Sequence, residues 1–499
     1  MRIRRLSSVV SLLAVVAALT VALVVPQARS STTSTYLVVY NGANISKTAV
    51  SSIKNAGGTV VASYRVIGVM VARSDNSSFA SNLKQREKNL QGVVATDTFG
   101  VGLSDTESAT DGADQAQGPT TTQAWGDTLS NRQWDMTQIS VPEAHEVTQG
   151  SPSVVVGDID TGLDFTHPDI APNYDASRSA DCTSGAPAPL AVGNDQSGHG
   201  THTAGTIAAA ANGIGIVGVA PSVKIAGIKS STDEGFFFPE MVVCSFMWAA
   251  THGISVTNNS YFADPFLFNC KNDPTQRAIW NAERRAISYA ISKGVVVVAA
   301  MGNESDDISH PQVDLISPDF PPDTNIERTV TNACAIVPVE VAGVVGVTAD
   351  GNRVQKSFYS SYGISEAAVI APGGDSIYFD ASTDVPNGRV LSTYPPYLFC
   401  RRPVVDPTGA TYCYLQGTSM ASPHVAGVAA LIKSIGVSSP GAVTGRLEST
   451  ADPLACPDPY QPSLDGFLRP SGDPQVCQGG ISDNSFNGHG QVNALTAVH

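Results

Sequence analysis

From Tyr36 onward, apolar positions switch quickly between a repeat of two and a repeat of 3.6 residues. Residues 36–40 predict a strand, 46–55 a short helix stopped by Gly57 and Gly58, and 59–64 a second strand. Residues 65–72 continue as strand, 78–90 read as a helix, and 93–96 close a compact β-α-β-β-α-β unit. A polar, acidic stretch over 104–124 follows, rich in Gly, Pro, Thr and Gln, as expected of an exposed linker. Beyond Trp134 the pattern changes scale. Uninterrupted apolar runs at 153–159, 223–228, 253–258 and 294–300 alternate with helical stretches, which predicts a mostly parallel sheet with helices on both faces. Residues 305–333 and 375–412 lack either period and read as loop insertions.

Composition narrows the setting. Lys and Arg number 29 against 44 Asp and Glu, a net charge of -15, which argues against nucleic acid as a partner. At the N-terminus, Arg2, Arg4 and Arg5 precede an apolar run over 9–25 and the small-x-small triplet Ala28-Arg29-Ser30. Residues 1–30 are therefore expected to be a secretory signal, with no stable membrane association afterwards. Eight cysteines fit an oxidising destination, and the two sequence-local pairs, Cys400–Cys413 and Cys456–Cys477, are the expected disulfides. Cys182, Cys244, Cys270 and Cys334 stay unassigned, and the lack of any Cys-x-x-Cys pair makes a zinc site improbable.

Four short segments carry candidate chemistry. In Gly417-Thr418-Ser419-Met420-Ala421-Ser422-Pro423, a tight turn runs into a helix with a proline expected in its first turn, and Ser419 is the candidate nucleophile. A serine hydroxyl is inert at its own pKa and needs a base. Val154-Val155-Val156-Gly157-Asp158-Ile159-Asp160-Thr161-Gly162 puts Asp160 at the tip of a buried strand, with Asp158 as a competitor on the same face. Gly198-His199-Gly200-Thr201-His202 opens a small-residue helix with His199 at its mouth and His202 as a second choice. Met301-Gly302-Asn303-Glu304, after the run at 294–300, places an amide at another strand tip. His424 reads as a packed structural histidine.

In this order the segments resemble the subtilisin-like serine endopeptidases: Asp160-Thr161-Gly162, His199-Gly200-Thr201-His202 and Gly417-Thr418-Ser419-Met420-Ala421 each match a family signature, and the resemblance covers about residues 130 to 499. The resemblance implies that Ser419 attacks a peptide carbonyl, His199 takes and returns its proton, and Asp160 orients the imidazole. It also implies that Asn303 and the Ser419 N–H bind the oxyanion, with no cofactor needed for catalysis. An extended peptide or protein substrate is expected to add beside Asn258-Asn259-Ser260-Tyr261-Phe262, with Ala300, Gly302 and Glu304 forming the other pocket wall. Phe262 stands where relatives carry glycine, so the side-chain preference before the cut should differ from a broad apolar one.

The N-terminal unit, of ferredoxin-like type, resembles the inhibitory propeptide of these proteases. The expected organisation is thus a signal at 1–30, an intramolecular inhibitor at 31–103, a processing linker at 104–125 and a catalytic domain at 126–499, the mature protein being a secreted monomer. A structural calcium ion is a further implication, between Asp169 and the loop 210–216 that carries Asn212. Two rivals use the same residues: a peptide acyl transferase working through the same acyl-enzyme, and an inactive binding protein on a protease scaffold.

Overall fold

The structure, a computed structural model, describes residues 33–96, 125–318, 324–380, 388–457 and 467–499. The expected leader and nearly all of the expected linker lie outside the described residues.

The first layer is a four-stranded antiparallel sheet of β1 (Ser34–Tyr40), β2 (Thr59–Tyr64), β3 (Val69–Ser74) and β4 (Leu90–Ala95) in the order β2-β3-β1-β4. Helices α1 (Ala49–Asn55) and α2 (Phe79–Arg86) cover it, giving the β-α-β-β-α-β order read from the sequence. Two expectations fail, the first being the helix over 78–90, which stops at Arg86 so that Leu90 opens β4. Nor are residues 65–72 continuous strand, because Arg65–Ile67 form a 3₁₀ turn that Gly68 ends at φ 71°, so the chain folds back between β2 and β3. Only glycine takes that φ cheaply, and a Cβ there would stand 1.9 Å from the Gly42 carbonyl oxygen.

The second layer is a seven-stranded parallel sheet in the order β15-β14-β10-β8-β5-β7-β6. Its strands are β5 (Val155–Asp160), β6 (Ala180–Asp181), β7 (Lys224–Lys229), β8 (Val256–Asn259), β10 (Val296–Ala300), β14 (Val344–Asp350) and β15 (Ala367–Pro372). Every residue of β5, β8 and β10 is buried, as the unbroken apolar runs required of strands covered on both faces. On one face lie α5 (His199–Ala208) and α8 (Thr418–Ser434), both almost wholly buried. On the other lie α6 (Pro239–Thr251) and α7 (Pro274–Ser292). Short helices α3 (Trp134–Gln138) and α4 (Val141–His145) lead into β5.

The described parts of the insertions carry more regular structure than expected. Residues 375–412 supply most of a three-stranded antiparallel sheet, β16 (Val390–Thr393), β17 (Pro403–Val405) and β18 (Thr411–Leu415), ordered β16-β18-β17. The stretch 305–333 contributes the two-residue pair β11 (Val313–Asp314) and β12 (Arg328–Thr329). Both expected disulfides form, and the unassigned cysteines pair as Cys182–Cys244 and Cys270–Cys334, the latter tying β9 (Asn269–Cys270) to β13 (Cys334–Ala335).

The two layers share one core. Leu37, Val39, Ile67, Val69, Val71 and Val94 pack into the apolar cluster of α6 and α7. Arg285 on α7 donates to the Tyr40 carbonyl (2.8 Å), the Ile67 carbonyl and Gln91, while Tyr64 donates to the Gly185 carbonyl (2.8 Å). Gly92 lets β4 lie directly on α7, since a Cβ would meet the Ala278 methyl at 2.6 Å.

The Cys182–Cys244 bridge closes a loop of 62 residues, a length that restricts the unfolded chain by about 4 kcal/mol in the loop-entropy account. Replacing both cysteines by alanine is expected to lower stability by about 2–4 kcal/mol, read as a fall in the denaturant midpoint of unfolding, and added reductant should then have less further effect than on the parent chain.

Candidate active site

Parallel pairing aligns the carboxyl ends of β5, β8 and β10, and three of the candidate residues sit at or just past these ends. Asp160 ends β5, Ser260 follows β8, and Asn303 lies three residues past β10. Such an edge is where ligands bind in open parallel sheets.

Asp160 is fully buried, and its Oδ1 accepts from His199 Nδ1 (2.7 Å) and from the Thr161 N–H (2.7 Å). A carboxylate on Nδ1 makes that nitrogen the donor and leaves the Nε2 lone pair for a reacting proton. Gly200 is what permits the approach: a Cβ on it would stand 2.2 Å from the Gly162 carbonyl oxygen, and its N–H donates to Thr161 Oγ1 (3.0 Å). The mouth of α5 therefore closes onto the Asp-Thr-Gly turn. His202 is elsewhere. Its Nε2 bonds the Cys413 carbonyl on β18 (3.0 Å), and burial pulls its pKa down to about 3, so it is a neutral structural group. Asp158 does not touch the imidazole; it bonds Thr203 and Asn258. His424 bonds Asp135 (2.9 Å) and the Met420 carbonyl, both buried, in the structural role expected of it.

Ser419 is the second residue of α8, and Pro423 falls at the sixth, not in the first turn. The displacement has a consequence. Proline has no N–H, so the Ser419 carbonyl four residues earlier loses its helical partner. That carbonyl instead accepts from Ser260 Oγ (2.9 Å), and the Ser419 hydroxyl donates back to the Ser260 carbonyl (3.1 Å). The reciprocal pair fixes the start of α8 to the end of β8. Asn303 is oriented the same way: its Oδ1 accepts from the Thr418 N–H and Thr418 Oγ1, both at 2.9 Å. Its amide nitrogen is thereby directed away from Thr418.

A cavity of about 40 Å³ lies here. Ser260, Tyr261, Phe262, Ala300, Gly302 and Glu304 all line it, together with Asn303 and Ser419. Leu267 and Ile336 complete an apolar wall that the sequence reading missed; they come from segments far apart in the chain and carry no motif. Phe262 packs with them rather than closing the cavity, and the Tyr261 ring stacks on Phe237 in the core (centroids 4.1 Å apart). β8 is paired on both edges as far as Asn259, so only the backbone past it is available to an added strand. Glu304 accepts from Ser361 Oγ, and burial raises its carboxyl to about 7.

Most oxygens of the expected calcium ligands are engaged in hydrogen bonds within the protein. Asp169 Oδ2 accepts from Tyr412 OH (2.7 Å) and the Ile216 N–H (3.2 Å); Asn212 Oδ1 accepts from Ile214 N–H; and the Gly215 carbonyl accepts from Leu129 N–H. The phenol is wedged into the loop, since a Cβ on Gly215 would stand 1.7 Å from its oxygen. Six to eight oxygens are needed; three of these oxygens already face hydrogen-bond donors, while Asp169 Oδ1 is buried without a hydrogen-bond partner. Among the described residues no group of three or more His, Cys, Asp or Glu side chains is placed to hold a metal.

Comparison with known proteins agrees with this geometry. Residues 151–490 match the subtilase family of peptidases. Fervidolysin from Fervidobacterium pennivorans is 31% identical over 66% of the chain, although the match spans only 42% of that longer protein. Subtilisin BL from Lederbergia lenta is 31% identical over 66% of the chain and 95% of its own length. Among solved structures, the epidermin leader peptide processing serine protease of Staphylococcus aureus superposes over 94% of the chain and 98% of its own, with a TM-score of 0.66 at 21% identity. Together with the Asp160–His199 contact and the serine at the mouth of a buried helix, these matches establish that the chain belongs to the subtilase family of serine endopeptidases.

Proposed function

We propose that this protein is a secreted endopeptidase that hydrolyses peptide bonds through Ser419, His199 and Asp160, made as a precursor that cuts itself. The observation that carries the reading is the 2.7 Å bond from buried Asp160 to His199 Nδ1, because it selects the tautomer whose Nε2 can accept a proton. Ser419 Oγ, rotating from the Ser260 carbonyl to the imidazole, attacks the substrate carbonyl carbon as His199 takes its proton. The resulting oxyanion is met by the Asn303 amide and the Ser419 N–H at the start of α8, donors already fixed before charge develops. The imidazolium then protonates the leaving amine, and water repeats the cycle in reverse on the acyl-enzyme.

Ser260, Tyr261 and Phe262 supply one side of the substrate cleft through backbone beyond β8, and Ala300, Gly302 and Glu304 the other. The four-stranded unit on α6 and α7 acts as an intramolecular inhibitor, a reading supported by its topology and its docking through Arg285 and Tyr64. Secretion is supported by the leader pattern and by four disulfides, which persist in oxidising compartments. No helix among the described residues is long and apolar enough to cross a membrane.

Three outcomes test these assignments. Ser419→Ala is expected to lower hydrolysis more than about 10⁴-fold and to leave the precursor uncut on a gel, whereas Asn303→Ala should cost about 100- to 1,000-fold in kcat with KM little changed. Normal maturation of the Ser419 variant would assign processing to another protease.

Because the Glu304 carboxyl is raised to about 7, the pocket floor gains negative charge as pH climbs past neutrality. The ratio of kcat/KM for lysine over leucine before the scissile bond should therefore rise through about pH 7, and Glu304→Gln should flatten that rise.

With Tyr412 in the loop, a chelator should leave the melting temperature unchanged. Tyr412→Phe should destabilise by about 1–3 kcal/mol by removing a donor from buried Asp169, as read by chemical unfolding. Stabilisation of the parent chain by added calcium would overturn this.

A further inference from the structure

Asp158 is a second buried carboxyl beside the candidate triad, and the chemistry above does not use it. It stands two residues before Asp160 on β5, and Thr203 stands four after His199 on α5. Two strand residues rise about 6.6 Å and four helical residues about 6 Å, so strand and helix meet in two rungs. The upper rung is Asp160 with His199 (2.7 Å) and the lower is Asp158 Oδ2 with Thr203 Oγ1 (2.7 Å). Asp158 Oδ1 accepts from Asn258 Nδ2 (2.9 Å) on β8. That same amide nitrogen donates to Ser260 Oγ (3.1 Å), whose proton goes to the Ser419 carbonyl, and Asn258 Oδ1 accepts from Ser422 Oγ (2.7 Å) on α8. Asp158 thus links the helix that carries His199 to the helix that carries Ser419.

Burial beside Asp160, with only neutral groups in hydrogen-bond contact, bears on its state. Thr203 Oγ1 has one hydrogen, yet it lies near three oxygens: Asp158 Oδ2, the Gly200 carbonyl (3.1 Å) and the His199 carbonyl (3.3 Å). A protonated Asp158 donates to Thr203, and Thr203 passes its own hydrogen to α5, so the contacts are satisfied in sequence. The surroundings agree. The groups facing Asp158 that carry or can carry charge are Asp160 on its own strand and His199 on α5. β7 places Gly227 opposite it, and β8 and α8 offer neutral Asn258 with Ser422 behind. Burial and the neighbouring Asp160 raise its pKa well above the ordinary carboxylate range.

We propose that Asp158 is a positioning residue acting as a neutral carboxylic acid, which holds the His199 helix in register with the Ser419 helix and leaves Asp160 the one negative charge at the imidazole. The proposal rests on the triad roles given above. The test compares Asp158→Asn and Asp158→Ala in the full chain, with kcat and KM for a peptide substrate followed from pH 5 to 11 and Ser419→Ala run alongside. Asparagine has the shape and hydrogen-bonding order of a protonated acid, so it should keep kcat within about threefold of the parent, while alanine should lose about 10- to 100-fold in kcat at little change in KM. The acid limb of kcat/KM, set by His199, should not move in Asp158→Asn, and any loss of kcat in alkali from ionisation of Asp158 should vanish in that variant.

An acid limb displaced to lower pH in Asp158→Asn would mean that a negative charge had been removed, and would overturn the proposal. So would an asparagine variant as impaired as the alanine one. Should the alanine variant fail to fold, the asparagine profile alone decides. Hydrolysis surviving in Ser419→Ala would instead locate the fault in the triad reading, separately from Asp158.

Discussion

The parallel pairing of β5, β8 and β10 is the constraint on which the site depends. Their register, with Ile159 opposite Asn259 and Asn259 opposite Ala299, makes residues forty or more positions apart in the chain finish on one line. Buried strands of this kind tolerate no slippage, because a shift of one residue would turn Asp160 and Asn258 to the other face of the sheet. Everything else closes onto that line: α5 reaches it through Gly200, α8 through the Ser260–Ser419 pair, and Asn303 by turning its oxygen to Thr418. The polar groups are buried in a water-poor setting where fixed donors act strongly, and each is held by a neighbour from a different element.

Much of this was legible in the sequence because the relevant signals are local. Unbroken runs of Val, Ile and Ala announced the parallel strands, and Asp-Thr-Gly, His-Gly-Thr-His and Gly-Thr-Ser-Met-Ala each mark a turn whose geometry needs those residues. The triad candidates and the candidate oxyanion asparagine were found that way, whereas the six expected pocket residues came from the resemblance and do line the cavity. What stayed hidden depends on partners distant in the chain. Residues 375–412 read as a loop because β16 and β17 make sense only when β18 joins them, and Cys182–Cys244 and Cys270–Cys334 span more than sixty residues each. Leu267 and Ile336 could not be assigned to the pocket for the same reason.

The misplaced proline and the loop beside Asp169 show a different limit. In both, the residue types were right and the spatial consequence was not. Pro423 sits a turn deeper than expected, and its missing N–H frees the Ser419 carbonyl for Ser260. Asp169 is present where an ion would be expected to find it, but Tyr412, more than two hundred residues later, delivers a hydroxyl to it. A resemblance carried over residue by residue transfers the ligand and cannot reveal an intruder from a segment that the motif does not include.

The contact between the N-terminal sheet and helices α6 and α7 bears on how an inhibitor could be held and then released. Its specificity comes chiefly from shape: Gly92 over Ala278, and valines from β1 and β3 against an apolar helix pair. The main polar anchor, Arg285, binds backbone carbonyls of Tyr40 and Ile67, which are brought side by side only when the sheet is folded. A folded unit is therefore recognised and an unfolded one is not, so cleavage need not weaken the contact directly. If the unit is an inhibitor severed as proposed, it is enough that its roughly sixty residues spend time unfolded, when Arg285 loses both acceptors and any protease present can cut the chain further. On this account the affinity of inhibitor for enzyme and the inhibitor's own folding are one equilibrium, and the helices need no separate device to let it go.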